Sequence, residues 1–126
     1  MTLAADIHEI TWKNELEYIL HETKKPCLIY VYEGKRNLDN DHQFLSDALK
    51  CFRKLRIQYR DQIVFVQVDH KIAIKNDFCL YSYDNKDRFI GYFNDALIGD
   101  VRMQEDTDIG CVEKLEELAK KMAGNI

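Results

Sequence analysis

Two short, unbroken β-rich runs stand on either side of one long amphipathic stretch, and this arrangement constrains the chain more than any other feature. Cys27-Leu-Ile-Tyr-Val-Tyr32 and Ile63-Val-Phe-Val-Gln-Val68 are the runs. Each is short and, Gln67 apart, apolar or aromatic throughout, as expected of a strand covered on both faces rather than one with a wet side. Between them Phe44, Leu45, Ala48, Leu49, Phe52, Leu55 and Tyr59 recur at helical spacing, with Asn40 or Asp41 available as a cap and Gln43 completing a weak capping box with Asn40. A helix joining two buried strands implies a right-handed crossover and a parallel pair.

The flanks extend the pattern. Thr11 is the expected N-cap of a first helix, on which Trp12, Leu16, Ile19 and Leu20 form one stripe. Lys24 and Lys25 suit its negative end, and Pro26 prevents its continuation. The segment from His70 to Arg88 is ambiguous: a short helix near Ile72–Asn76 followed by loop, with Phe78–Tyr83 as a candidate extra edge strand. Arg88–Phe93 and Ala96–Arg102 read as strands joined by a tight turn at Asn94-Asp95. A last helix, Asp108 to Met122, carries Ile109, Val112, Leu115, Leu118, Ala119 and Met122 on one face and ends at Gly124.

One proline, five glycines and no repeat or low-complexity segment leave no linker, so residues 1–126 read as a single domain. With 18 basic against 22 acidic residues and no basic block, nucleic acid is not an expected partner. No apolar run approaches the roughly 18 residues of a membrane span, and Met1 to Glu9 lacks the basic start of a secretory signal. A cytoplasmic location is the expectation.

Cys27, Cys51, Cys79 and Cys111 are far apart in the chain. Zinc and dithiol redox sites present two cysteines from one short loop, which this spacing forbids. Reduced, mostly buried thiols are expected. The histidines His8, His21, His42 and His70 show no shared helical spacing, and no glycine-rich phosphate loop or nucleophile elbow is present. Neither metal nor cofactor is expected.

The element order, with its best local similarity at Cys27–Tyr32 and at Arg88-Phe-Ile-Gly-Tyr-Phe-Asn-Asp-Ala, resembles the thioredoxin-like superfamily. The resemblance implies an α/β three-layer sandwich with a central mixed sheet of four to five strands flanked by helices. It also places Arg36-Asn-Leu-Asp39 where that family carries its Cys-x-x-Cys motif, Arg88 where it has a cis-proline, and Tyr30 where it keeps a buried acid. Three parts of one mechanism are thus replaced together. The implied function is a redox-inactive domain that acts through protein–protein contact as an adaptor, assembly factor or regulator. Its expected binding residues are Arg36, Asp39, Asp69, His70, Arg88, Tyr81 and Tyr83, and a homo-oligomer through an edge strand is a further option. The alternative is a single-cysteine thiol enzyme or redox sensor that uses Cys79 or Cys27. Arg88 itself is expected to reach solvent or pair with an acid across a trans bond from Asp87.

Overall fold

The computed structural model describes residues 7–32, 47–69, 88–94, 96–102 and 108–124. The strands are β1 (His8–Ile10), β2 (Cys27–Tyr32), β3 (Val64–Asp69), β4 (Arg88–Phe93) and β5 (Ala96–Arg102), and the helices are α1 (Lys13–Glu22), α2 (Asp47–Tyr59) and α3 (Asp108–Ala123). They form one five-stranded mixed sheet in the order β1-β3-β2-β4-β5. β3 runs parallel to both β1 and β2, while β4 is antiparallel to β2 and to β5. This is the expected α/β class, with the β2–α2–β3 crossover and the closing hairpin in their expected places. The proposed helix near Ile72–Asn76, the Phe78–Tyr83 strand and the start of the second helix near Asn40 lie outside the described residues.

All six residues of β2 are buried, so alternation along this strand builds two cores instead of one core and one wet face. Leu28, Tyr30 and Tyr32 point into a layer with Phe65, Phe89 and Val101 that is covered by α2 and α3. Its centre is aromatic. The Tyr30 ring stacks on Phe89 with centroids 5.0 Å apart, and Phe52 of α2 meets Phe65 edge-on at 5.5 Å and Phe89 at 5.2 Å. Offset and edge-on pairs of this kind contribute about 0.5–1.5 kcal/mol each beyond burial of their area. Cys27, Ile29 and Val31 face the other way, with Val66, Val68, Ile90 and Tyr92, beneath Ile19 and Leu20 of α1.

α3 sits close to the β4–β5 hairpin because two glycines are directly opposed there. Gly91 pairs with Gly99, and a Cβ built at Gly91 would come 2.8 Å from the Met122 Sδ and 3.1 Å from a Leu118 methyl. Beside them the register shifts, so that Tyr92 pairs with Leu97 and Ile98 becomes the extra residue of a bulge. The hairpin turns at Asn94, whose φ of 54° lies in the left-handed region that asparagine tolerates.

Three expectations require correction. β1 was not foreseen: three residues, His8–Ile10, add an outer parallel strand beside β3. The N-cap of α1 is Trp12 rather than Thr11, and it makes no side-chain cap bond. Glu15 reaches back instead to accept from the Thr11 N–H at 2.8 Å and the Thr11 hydroxyl at 3.2 Å, and it also engages His8. An uncapped start forfeits about 1 kcal/mol relative to Ser, Thr, Asp or Asn. Trp12 also leaves the expected apolar stripe for solvent.

The third correction concerns the expectation that Arg88 reaches solvent: it is buried at 5% exposure, which leaves pairing with an acid as the expected alternative. As the first residue of β4 it stands between Val31 of β2 and Arg102 of β5, so the sheet closes over it from both sides. Two arginines directly opposite would repel, and Asp100 offsets this by accepting from the Arg102 Nε at 3.3 Å. The Asp87–Arg88 peptide bond lies outside the described residues. Arg88→Ala is therefore expected to lower stability by about 2 kcal/mol or more, shifting Tm by several degrees in a thermal melt. An unchanged Tm would mean that the guanidinium contributes nothing to the fold.

Candidate functional site

The carboxyl ends of β2 and β3, where open α/β sheets place their sites, hold a polar cluster drawn from three strands. Tyr32 ends β2, opposite Asp69 at the end of β3. Gln67, two residues before Asp69, lies opposite Glu9 of β1. Period-two alternation puts these side chains on the α2–α3 side of the sheet. The Tyr32 hydroxyl donates to the Glu9 Oε2 at 2.8 Å, and the Gln67 Nε2 donates to the Glu9 Oε1. Glu9 thus holds both neighbours and fastens the short outer strand to the sheet.

This arrangement suppresses ionisation of the Tyr32 phenol. Burial, followed by the hydrogen bond to Glu9 and the negative charges of Glu9 and Asp69, drives the Tyr32 phenol well above its ordinary pKa. It remains a neutral hydrogen-bond donor. Among the described residues, no group of three or more His, Cys, Asp or Glu side chains could hold a metal ion.

Of the residues expected from sequence, only Asp69 and Arg88 fall within the described parts. Both are at this end of the sheet, at register positions on opposite faces. Asp69 shares a face with Tyr32, whereas Arg88 shares the opposite face with Val31. Arg36, Asp39, His70, Tyr81 and Tyr83 lie outside the described residues, as does Cys79. Glu9 and Gln67 were missed altogether. Ile7-His8-Glu9-Ile10 shows no period-two alternation and is too short to identify a strand, and the register that joins Glu9 to Gln67 is not written in the local pattern.

The three described cysteines are buried thiols. Burial raises the Cys27 pKa from 9.0 to about 12, and its Sγ donates to the Lys25 carbonyl at 3.8 Å. Burial, then the nearby Glu116 carboxylate, raises Cys51 to about 11 against the weaker opposing pull of Lys54. The Cys111 Sγ donates to the Arg102 carbonyl at 3.7 Å. Since the thiolate is the nucleophile, Cys27 and Cys51 are nearly inert at neutral pH. A raised folded-state pKa means that the native state retains its protons. The resulting contribution to stability is therefore complete below pH 9 and is lost as pH rises from there through about 11 to 12. In native protein at pH 7.5, Ellman's reagent should titrate at most one of the four cysteines promptly, with all four reacting in guanidinium. Rapid reaction of two or more would show that the buried cores open to reagent.

No protein-family model matches the chain and no curated protein sequence matches it. Solved structures do. A thioredoxin of Schistosoma mansoni superposes with a TM-score of 0.63 at 20% identity, covering 94% of this chain and 96% of its own. A thioredoxin of Malassezia sympodialis gives 0.65 at 14% identity, with 94% and 91% covered. An Entamoeba histolytica thioredoxin variant gives 0.63 at 19% identity, with 92% and 99% covered. With a five-stranded β1-β3-β2-β4-β5 sheet between α1 on one side and α2 and α3 on the other, and with this coverage, the chain has the thioredoxin-like fold.

Proposed function

We propose that this chain is a redox-inactive thioredoxin-like domain that works by contact with another protein, as an adaptor, assembly factor or regulator. The observation that carries this reading is the distribution of its cysteines. Dithiol exchange needs an acidic thiolate and a second thiol close enough to release the mixed disulfide. Here no two cysteines share a loop-sized window, and the pKa values of Cys27 and Cys51 are raised rather than lowered. A fold kept without its customary chemistry retains a rigid surface, and recognition is the use left to it.

Sequence alignment puts Arg36 and Asp39 at the position of the lost motif, with Asp69 and His70 at the adjoining strand end and Tyr81 and Tyr83 in the connection that follows. These residues are the proposed contact surface. Arg88, being buried, supports this end of the sheet from within. No metal or cofactor enters the proposal, and a cytoplasmic setting agrees with reduced thiols. A single-thiol role at Cys27 is opposed by its burial and its raised pKa, which leaves Cys79 as the residue on which that alternative depends.

The test is the dithiothreitol-driven reduction of insulin. The purified chain should leave insulin precipitation at the uncatalysed rate, whereas clear turnover would end the scaffold reading.

A further inference from the structure

Helix α1 turns an aromatic face away from the core. Its Ile19 and Leu20 pack on the sheet, while Trp12 and Tyr18 are 54% and 63% exposed. These two rings line one shallow cavity of about 570 Å3 together with Asn14, Glu17, His21 and Glu22. Trp12 returns little to the fold from this place. It occupies the N-cap without a side-chain cap bond, where a small polar residue would satisfy an orphan amide. A large ring more than half exposed at an uncapped helix start breaks a local rule, and such departures are expected at functional sites.

The charges around the rings select the occupant. Glu17 and Glu22 are exposed and line the cavity, and among the residues whose side chains are described no lysine or arginine lines it. An anionic group would meet two exposed carboxylates, and a purely apolar segment would leave them desolvated. A guanidinium or ammonium group gains from both features. The ring faces attract a cation, tryptophan most strongly, and the carboxylates supply charge-assisted hydrogen bonds.

We propose that this groove docks a basic segment of a partner protein, one arginine or lysine seated against Trp12 and Tyr18 and neutralised by Glu17 and Glu22. The inference deepens the reading of the chain as a protein-binding scaffold and rests on it, but it uses a different element from the strand-end surface. The two therefore fail separately: insulin turnover tests the scaffold, and the following titration tests the groove.

Trp12 is the only tryptophan in the chain, so its fluorescence reports on this groove alone. Titration of the full chain with hexa-arginine amide at low salt should change Trp12 emission saturably, and hexa-glutamine amide should not. The double substitution Glu17→Gln and Glu22→Gln, on exposed positions that leave the fold intact by circular dichroism, should weaken the response about tenfold or more. Tyr18→Ala should weaken it several-fold, and high salt should do likewise. No saturable change with hexa-arginine, an equal response to hexa-glutamine, or a response that survives the Glu17 and Glu22 substitutions would each overturn the proposal.

Discussion

Everything described depends on the parallel pairing of β2 with β3, six residue pairs from Cys27 with Val64 to Tyr32 with Asp69. Because β2 is buried on both faces, its alternating side chains must be covered twice, once by α2 and α3 and once by α1. The crossover helix α2 is what allows two strands so joined to run parallel. The Pro26 carbonyl starts this pairing by accepting from the Val64 N–H at 2.9 Å, just where proline forbids continuation of the preceding helix. Burial of each large side chain of such a strand contributes about 1.5–3 kcal/mol, so a one-residue slip, which would exchange the two faces, is strongly disfavoured.

The central elements were legible because their signals are long and mutually consistent. Cys27–Tyr32, Arg88–Phe93 and Ala96–Arg102 were delimited as the structure has them, and β3 was displaced by one residue. Short or tertiary features were not legible. β1 has only three residues and exists because β3 offers it an edge and Glu9 reaches both Gln67 and Tyr32. Nothing local distinguishes Arg88 as buried, since charge alone suggests exposure; its burial follows from standing between β2 and β5. Thr11 has the chemistry of a cap, but the helix begins one residue later and Glu15 takes over the bonding at Thr11. The candidate site was legible only as an absence. The spacing of cysteines can be read directly, whereas the polar cluster requires the register of three strands.

Different parts of the molecule carry different constraints. Its interior holds a fold shared with thioredoxins, and in this chain two opposed glycines admit α3. Its described thiols are buried, and burial holds Cys27 and Cys51 protonated. The outer face of α1 and the ends of the central strands are where side chains depart from what packing asks of them, and both are places at which another molecule can be met without altering the core.

The central claim is that the fold persists here without dithiol chemistry, and intact mass after mild oxidation addresses it most directly. Folded protein treated with diamide and then alkylated should show no intramolecular disulfide, so that after denaturation every cysteine of the monomer accepts the alkylating group. Loss of two alkylation sites from the monomer, reversed by dithiothreitol, would reveal a native cysteine pair and contradict the account.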